Sequence, residues 1–560
     1  MSHRQTISRA KLPLPRDAER GAWLALALLM TVAGATLLWL NRPGTLFNDE
    51  LRMFGTSYVV DFPEWIEPWN GHLSVTSRVL YKGIFEVFGA NYLVERILTV
   101  LTVLLTAGLF FAHAKRRVGS IAALAPTILL LFFGSSWKNL LVGTGITVLL
   151  TISAGLGALL ALERRDLRGD LAACALITFS VASFSVGLAF LAGVIVAILL
   201  RPRWYRTAWV FSIPLLLYAA WWVWALRFDS PEAQGSTVLL IPFWILESLA
   251  AVSGGLLGVN VQFDLTLPLN LEVTMWGRAA ALAFLAALVW RIWQGSLPRS
   301  FWVSLTVALV YWTLGGLVAG GDANRSPQAA RYIYPGAVAL LLVATDAFRG
   351  MRLSTRALGV LFGVVGLSLA GNLALLRAGS DYLQRYSWEL GADLAMIEVA
   401  RAVVPPDYTP SRAVVDGKSV IDAGTYLQSV GRFGSPAPAL AEVRRMPARI
   451  RESADVALGR MYRPSVTPAP AARGARCRRL EGAPGKPVAF KAPPGSATLL
   501  RTGKGATAHI RLRRFGDLFS VGAGQVSPGA SGTLSLPADA APDPWQVQAV
   551  SNSRLVVCRM

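Results

Sequence analysis

Long apolar stretches, separated by short basic segments, fill the first two thirds of the chain. Eight of them approach or reach the roughly 17–25 residues that a helix needs to cross a bilayer. In residue numbers these stretches are 23–40, 93–113, 140–162, 208–226, 276–293, 301–319, 332–347 and 357–376. The pattern predicts a mainly α-helical, polytopic membrane protein whose transmembrane domain covers residues 22–378.

The composition supports the same class. Of the 560 residues, 54% are hydrophobic and only 16% are charged, whereas soluble domains are about 25% charged. The formal net charge is +21, but a nucleic-acid-binding protein carries its basic residues on one face of a soluble domain. Here the basic residues punctuate apolar stretches instead. Nucleic acid is therefore not expected as a partner.

The basic segments predict the topology, because Lys and Arg in short loops mark the cytoplasmic side. The predicted cytoplasmic segments are 1–21, 115–117, 163–170, 201–206 and 349–356. An even number of crossings must separate consecutive cytoplasmic segments. We therefore expect two helices between 117 and 163, joined by an external turn at 135–139.

The segment 170–201 is too short for two full-length crossings and is expected to break near 183–187. Broken backbone at membrane depth is tolerated mainly where it is buried in protein or lines a polar cavity. The break therefore points toward a functional site.

The apolar segment 238–259 lies within a stretch, 227–275, whose two ends must be on the same side of the membrane. We interpret it as part of an external loop, with a helix that lies on or dips into the membrane surface. The alternative is an additional transmembrane hairpin. The first interpretation gives about eleven spans, a cytoplasmic N-terminus and an extracytoplasmic C-terminal region.

The C-terminal region changes character. A helical part at 379–463 is followed by a Pro/Ala/Gly/Arg-rich linker at 464–476 and by a β-rich, sandwich-like domain at 477–560. Cys477 and Cys558 bracket that domain, and a disulfide between them fits an oxidising compartment. The alternative is two unrelated free thiols. The strands are expected at 507–515, 533–536, 545–550 and 554–558, and Trp545 is either a core residue or a platform for stacking sugars.

The large external loop at 41–92 combines acids, cations and aromatic residues next to the bilayer. Asp49 and Glu50 come first, and His72 and Arg78 follow. A solvated acidic pair beside a membrane helix needs no functional explanation. The combination, rather than either acid alone, makes this loop a candidate site.

The order of these motifs resembles that of the GT-C superfamily. These polytopic glycosyltransferases use polyprenyl-phosphate sugars and include protein-mannosyltransferase-like and aminoarabinose-transferase-like groups. The resemblance covers roughly residues 20 to 380. The matching elements are the acidic pair after the first span, an amphipathic helix ending Val87-Phe88-Gly89, Arg96 at the second span, and Ala330-Arg331-Tyr332-Ile333-Tyr334-Pro335, similar to an Arg-Tyr-x-x-Pro element.

One departure from the family pattern lies in the first loop. A Lys-Pro-Pro-like element of the family is replaced here by Gly71-His72-Leu73-Ser74. The contacts of this element with phosphate or substrate are therefore expected to differ.

The resemblance implies inverting transfer of a sugar from a polyprenyl phosphate to an acceptor hydroxyl. Because a lipid phosphate leaves readily, one carboxylate suffices as general base. Asp49 matches the first acid of the family pair and is predicted to be that base, with Glu50 as the alternative or as a metal ligand. Cations stabilise the negative charge that develops on the phosphate. The candidates are Arg331 first, then His72, Lys138 and Arg78.

Each of these cations has a plain structural alternative: a snorkelling arginine, a hydrogen-bonded histidine or an ordinary loop lysine. No cofactor is required, and a divalent metal, Mg²⁺ or Mn²⁺ held by Asp49, Glu50 and His72, is optional. The expected partners are a polyprenyl-phosphate-linked sugar, an envelope glycan, lipid or protein acceptor, and the lipids of a bacterial plasma membrane.

Two other functions compete with this one. A transporter or flippase of lipid-linked intermediates would show internal repeats and charges on several membrane helices, and the sequence shows no repeat. A non-catalytic membrane scaffold with an external binding domain is the third possibility.

Overall fold

The computed structural model describes residues 16–42, 44–57, 62–228, 235–259, 275–295, 297–318, 326–351, 353–415, 418–470, 476–480, 487–505, 507–551 and 555–559. Most of the basic N-terminal segment 1–21 lies outside these residues. The chain divides into two compact units. The helical unit contains Met1–Arg42, Asp61–Leu80 and Leu93–Tyr382, and the C-terminal unit contains Pro43–Val60, Tyr81–Tyr92 and Leu383–Met560.

Most of the described residues are helical. The helices are α1 (Arg16–Leu40), α2 (Asp49–Thr56), α3 (Phe62–Ile66), α4 (Val75–Phe88), α5 (Tyr92–Val118), α6 (Ser120–Leu131), α7 (Trp137–Leu141), α8 (Gly145–Leu162), α9 (Leu167–Ser183), α10 (Val186–Leu199), α11 (Trp209–Ala225), α12 (Ile241–Leu256), α13 (Met275–Trp293), α14 (Arg299–Val318), α15 (Ala330–Ala347), α16 (Thr355–Val399), α17 (Ala423–Phe433), α18 (Leu440–Val443) and α19 (Ala448–Tyr462).

The strands lie in the C-terminal unit. They are β1 (Val414–Val415), β2 (Lys418–Ser419), β3 (Val466–Pro468), β4 (Arg476–Leu480), β5 (Pro487–Ala492), β6 (Ala497–Thr502), β7 (Ala508–Arg513), β8 (Val521–Val526), β9 (Ser531–Ser535), β10 (Trp545–Ser551) and β11 (Leu555–Arg559).

One end of the helical unit gathers the basic segments, and we call it the basic end. Arg117 of α5 donates from Nε to Asp346 Oδ1 of α15 (2.6 Å) and from Nη2 to Glu163 Oε1 after α8 (2.9 Å). Ser304 of α14 donates to the other oxygen of Asp346 (2.6 Å), and His113 Nε2 lies 3.7 Å from it. Arg117 and Asp346 are both buried. This ion-pair cluster therefore ties four helices together.

Arginines at the basic end also satisfy the last carbonyls of neighbouring helices. A helix leaves its final four C=O groups without partners inside the helix, and a guanidinium offers five donors to fill such positions. Three C-terminal carbonyls are capped in this way, with donor–acceptor distances of 2.9, 2.9 and 3.1 Å: Arg201 to Leu162, Arg291 to Ala347 and Arg299 to Leu200. The basic segments thus have a structural role beside their topological one.

The opposite end of the helical unit, which we call the loop end, carries the part of the first loop that belongs to this unit, residues 62–80. From the order of the described helices and the contacts of their termini, we infer that eleven of them lead from one end to the other: α1, α5, α6, α8, α9, α10, α11, α13, α14, α15 and α16. By length and apolarity alone, seven described helices qualify as membrane spans, or eight if the bent pair Ser120–Leu131 and Gly134–Leu141 forms one. The turn predicted at 135–139 lies in this bent pair.

Helix α12 does not run between the two ends. Trp244 near its start packs against Gly315 at the end of α14, and Gly255 in its last turn packs against Ser135 beyond the end of α6. Both contacts are with helix termini at the loop end, so α12 lies across that end. This arrangement fits the interpretation of a surface-lying helix, although Val238–Leu256 also qualifies as a candidate span.

The predicted break at 183–187 is present. α9 ends at Ser183 and α10 begins at Val186. With about 1.5 Å of rise per residue, the 14 residues of α10 are too short for a hydrocarbon core of about 30 Å. The loop end is therefore recessed at this point, and residues of the first loop pack there. Leu73 contacts Trp221 and Ala225 of α11, and Trp221 Nε1 donates to the carbonyl of Ile66 (2.7 Å).

Helix α16 corrects one expectation about the chain after the last span. The sequence predicts a span at 357–376 and a separate helical part that begins at 379, but the structure has one continuous helix of 45 residues across both. The residues between the two predicted segments lie inside that helix, and no Pro interrupts them.

An aromatic cluster joins the short helices of the C-terminal unit. Phe54 of α2 lies 5.4 Å from Phe85 of α4, and both rings lie about 6 Å from Phe433 of α17. Gly89 ends α4 with a φ of 65°, which favours glycine, and the next residue donates to the carbonyl of Phe433. The predicted amphipathic helix ending Val87-Phe88-Gly89 is confirmed, and α17 lies within the part at 379–463 that was predicted as helical.

The strand-rich region contains two antiparallel sheets. One has the order β5-β10-β7-β8, and the other has the order β3-β9-β6-β11-β4. β3 pairs with β9, so the strand-rich region begins within the segment predicted as a linker, of which 471–475 lie outside the described residues. Cys477 of β4 and Cys558 of β11 face each other in register and form a disulfide, as predicted. Cys174 is buried with a free thiol.

Trp545 is a core residue, not a sugar platform. Its side chain is fully buried, and the guanidinium of Arg514 lies 5.4 Å from its ring. Arg514 donates to both oxygens of Asp539 (2.6 and 3.1 Å) and to the carbonyls of Ala541 and Asp543. This fully satisfied buried arginine anchors the segment before β10.

Asp346→Ala should destabilise the helical unit strongly, because it removes the fully buried carboxylate that bonds Arg117 and Ser304, and breaking a buried ion pair from one side costs about 3–5 kcal/mol. Glu19→Ala is the matched control, because Glu19 pairs with Lys115 at the surface (3.1 Å) and such pairs contribute at most about 1 kcal/mol. The measurement is the thermal unfolding midpoint of the purified protein in detergent. Equal shifts for the two variants would contradict the prediction, and Arg117→Met/Asp346→Leu should recover most of the loss.

The disulfide predicts a simple thiol count. In denaturant without reductant, an alkylating reagent should modify only Cys174, and after reduction it should modify all three cysteines. Cys477→Ser should lower the stability of the C-terminal unit by about 2–4 kcal/mol, because it removes a cross-link that constrains the unfolded chain. Mass spectrometry and thermal unfolding check these two results. Modification of Cys558 before reduction would contradict the pairing.

Candidate functional site

The predicted site residues belong to both units. Asp49 and Glu50 lie in the C-terminal unit, at the start of α2. The cations lie in the helical unit, on the first loop, on α7 and on α15: His72, Arg78, Lys138 and Arg331.

Asp49 and Glu50 have different environments although they are neighbours. Glu50 is fully buried, and one of its carboxylate oxygens accepts the backbone N–H of Phe47 (2.7 Å), while its own N–H donates to the carbonyl of Phe47 (2.8 Å). This reciprocal pair closes the turn that starts α2, as in a capping box. Asp49 is half-buried. Glu50 therefore shapes the turn that presents Asp49.

Asn48 holds the turn in an uncommon backbone conformation. Its φ is 35° and its ψ is −97°, a region that non-glycine residues seldom adopt. Tyr386 of α16 donates to the side-chain oxygen of Asn48 (2.7 Å), and its ring lies 4.5 Å from that of Phe47. Such strain persists only where the surrounding contacts enforce it, and it is common at active sites. The residue before Asp49 is thus fixed from two directions.

His72 is presented by a tight hairpin. Trp69 and His72 exchange both backbone hydrogen bonds (2.9 Å each), and the two residues between them have positive φ, 49° at Asn70 and 81° at Gly71. Two positive φ values in a two-residue loop define a type I′ turn, for which Asn-Gly is the preferred sequence. The segment that stands in place of the family's Lys-Pro-Pro-like element therefore begins in a type I′ hairpin turn.

The His72 side chain contacts the break between α9 and α10. Its Nδ1 lies 2.7 Å from Ser185 Oγ, and its ring lies 4.2 Å from that of Phe184. Tyr218 of α11 also hydrogen-bonds to Ser185. The structure thus brings together the candidate histidine and the break, which the sequence singled out independently.

Arg78 supports this hairpin. It donates from Nη2 to the carbonyl of Glu67 (3.1 Å), and its guanidinium lies 5.5 Å from the ring of Trp69. Both contacts fix the chain just before His72. Arg78 is therefore a structural support of the loop in this arrangement.

Lys138 and Arg331 occupy neighbouring positions at the loop end. Asn139, which is buried, donates from Nδ2 to the carbonyl of Arg331 (3.0 Å) and to Ser136 Oγ (2.9 Å). Ser136 in turn donates to the carbonyl of Ala330 (2.6 Å). The turn that carries Lys138 is therefore hydrogen-bonded to the first turn of α15.

The Arg-Tyr-x-x-Pro element explains why this contact is available. In a regular helix the carbonyl of Arg331 would accept the N–H of the residue four positions later, but that residue is Pro335, which has no N–H. The freed carbonyl accepts from Asn139 instead. The side chains of Lys138 and Arg331 are exposed, and they lie 5.6 and 5.0 Å from the rings of Trp137 and Tyr332.

Two exposed cations at the loop end can attract an anionic headgroup, and arginine's planar fork matches phosphate oxygens. The described residues do not include a cluster of ligands for a metal ion. Among them, no group of three or more His, Cys, Asp or Glu side chains is arranged to hold an ion. Glu50 also uses one carboxylate oxygen to accept from the backbone of Phe47. The optional divalent metal stays a prediction without a ligand cluster in the described part of the chain.

Asn139 and Ser185 were not predicted as site residues. Both lie in segments that the sequence marked as a turn and a break, and a polar residue at such a position in an apolar chain is the signal that could have identified them.

Comparisons with known proteins include a likeness to a solved structure. No family model and no curated protein matches the chain. The chain is similar to the crystal structure of ArnT from Cupriavidus metallidurans bound to undecaprenyl phosphate, with 13% sequence identity and a TM-score of 0.44, over 69% of this chain and 82% of that one. A likeness at this level assigns neither a family nor a function.

Asn139→Leu should lower the thermal stability of the helical unit, because an unpaired buried carbonyl costs about 1–3 kcal/mol. Pro335→Ala restores an N–H that can donate to the carbonyl of Arg331. The double variant Asn139→Leu/Pro335→Ala should therefore be more stable than the sum of the two single losses, by about 1 kcal/mol. Asn139→Leu/Pro126→Ala is the control and should be additive. Additive losses in both pairs would contradict the explanation of the proline.

Proposed function

We propose that this protein is a membrane glycosyltransferase that moves a sugar from a polyprenyl phosphate to the hydroxyl of an envelope glycan, lipid or protein. The observation that carries the proposal is the anchoring of Arg331, through Asn139, at the loop end of the helical unit. The exposed guanidinium of Arg331 and the exposed ammonium of Lys138 support the proposal, because both groups attract phosphate oxygens.

The loop end is proposed to face the extracytoplasmic side of a bacterial plasma membrane. The basic segments gather at the other end, as expected for the cytoplasmic side. The disulfide of the C-terminal unit supports an oxidising compartment for that part of the chain.

The proposed chemistry is one inverting displacement. The acceptor oxygen attacks the anomeric carbon from the face opposite the phosphate, the bond between that carbon and the phosphate oxygen breaks, and the polyprenyl phosphate leaves with the electron pair. Asp49 accepts the acceptor's proton as general base. Arg331, with Lys138 and His72, stabilises the charge that grows on the leaving phosphate. Glu50 fixes the turn that carries Asp49.

The test is transfer of labelled sugar in proteoliposomes with a panel of polyprenyl-phosphate sugars. Asp49→Asn should reduce kcat by about 10²–10⁴-fold, the usual contribution of a general base, with little change in KM for the donor. Asp407→Asn is the matched control, because it removes an exposed carboxylate from the same unit. Arg331→Gln should raise KM for the donor, since the backbone hydrogen bond from Asn139 remains.

Two outcomes would contradict this proposal. If Asp49→Asn left the turnover unchanged, Asp49 would not be the general base. Absence of transfer with every donor, together with measurable translocation of the lipid across the bilayer, would instead support a flippase.

A further inference from the structure

The outward face of the sheet β5-β10-β7-β8 carries three cations and three amides: Lys491, Arg511, Arg513, Gln525, Gln546 and Gln548. Burial alternates along its strands, so every second residue points away from the core. The register places Lys491, Gln546 and Arg513 in one row across three strands, and Gln548 beside Arg511 in the next. His509 and Gln525 face each other in a third row.

No acid opposes these charges on the sheet itself. The described outward positions of the four strands carry no Asp or Glu. The described acids in the loops around the sheet are already paired with arginines. These pairs are Asp517 with Arg451, Asp543 with Arg444, and Asp539 with Arg514. Among the residues that the structure describes, the strands of this face therefore carry a net positive charge.

One of the cations is held in a fixed orientation. Arg513 donates from Nε to Gln546 Oε1 (2.9 Å) and to the carbonyl of Asp517, and its guanidinium lies 4.6 Å from the ring of Phe519. A side chain that is already ordered loses little entropy on binding. Arg511 and Lys491 beside it are exposed.

We infer that this outward face binds an anionic polysaccharide. Guanidinium and ammonium groups pair with its carboxylates or phosphates, and the glutamine amides both donate to and accept from sugar hydroxyls. Adjacent strands are about 4.8 Å apart, so the rows offer repeated contacts to a repeating chain. A membrane-surface site, by contrast, uses Trp, Phe or Leu as apolar anchors, and the described outward strand positions carry none of these three, with Val550 as their largest apolar side chain. The inference is independent of the proposed catalytic function.

The experiment measures binding to the full-length protein in detergent micelles, without turnover. The probe is fluorescently labelled polygalacturonate, and neutral dextran of similar length is the uncharged control. Polygalacturonate should bind, dextran should not, and the affinity should fall as salt is raised because the contacts are screened.

Two matched double variants test the location. Lys491→Gln/Arg511→Gln removes two exposed charges from the proposed face and should raise the Kd by about tenfold. Arg478→Gln/Arg501→Gln removes two exposed charges from the other sheet and should leave the Kd unchanged. If both variants raised the Kd for polygalacturonate equally, binding would depend only on the overall charge of the protein, and the proposal would be overturned.

The remaining alternative is that this face binds lipid, because Leu518 in the loop after β7 is exposed. To test it, the protein is placed in neutral nanodiscs, phosphatidylglycerol vesicles are added, and cross-linking of the C-terminal unit to the vesicles is measured. Loss of that contact in Lys491→Gln/Arg511→Gln, together with absent polygalacturonate binding, would assign the face to lipid and overturn the proposal. Polygalacturonate binding without vesicle binding supports it.

Discussion

A peptide carbonyl at the end of a helix has no partner in its own helix, and where it is buried in protein it has no water either; this constraint organises the helical unit. Several of its helices end with carbonyls that accept hydrogen bonds from side chains of neighbouring helices. At the basic end the donors are arginines, and at the loop end they include hydroxyls and amides. Ser380 donates to the last carbonyl of α1 (2.6 Å), and Ser368 and Asn372 donate to the last two carbonyls of α12 (2.5 and 3.0 Å). Each such bond also fixes two helices relative to each other.

The same constraint positions the residues that we propose bind the lipid-linked sugar. Because Pro335 has no N–H, the carbonyl of Arg331 accepts a hydrogen bond from Asn139 instead, and this bond fixes the backbone of Arg331. At the break between α9 and α10 the helical hydrogen bonds stop, and Ser185 meets a histidine from the first loop instead. Broken or proline-interrupted backbone thus becomes the place where polar side chains are needed. A chain that binds a charged headgroup can use those side chains at little additional cost.

Much of this could be predicted from sequence, because local pattern determines it. Hydropathy predicts most of the long helices, the shortage of apolar residues predicts the break, and the paired cysteines predict the disulfide. The tie between Asn139 and Arg331 could not be predicted, since 192 residues separate the two. Strands β5, β6 and β8 were also missed, because alanine, glycine and threonine carry little periodic signal there. The different roles of Asp49 and Glu50 could not be predicted either, because the two acids are neighbours in sequence. In the structure Glu50 is buried and accepts from the backbone of Phe47, whereas Asp49 is half-buried.

The surplus of positive charge has a common structural use in both units. Arg117 bonds two carboxylates and the carbonyl of His113, and Arg201 bonds Asp170 and the last carbonyl of α8. Arg514 does the same in the C-terminal unit with Asp539 and two carbonyls. One planar fork can neutralise an acid and cap a backbone at once, which the compact ammonium of lysine does less well. A buried acid is then tolerated because its partner also makes hydrogen bonds to other groups. The arginines that mark topology in the sequence are therefore also the groups that hold the helix ends together.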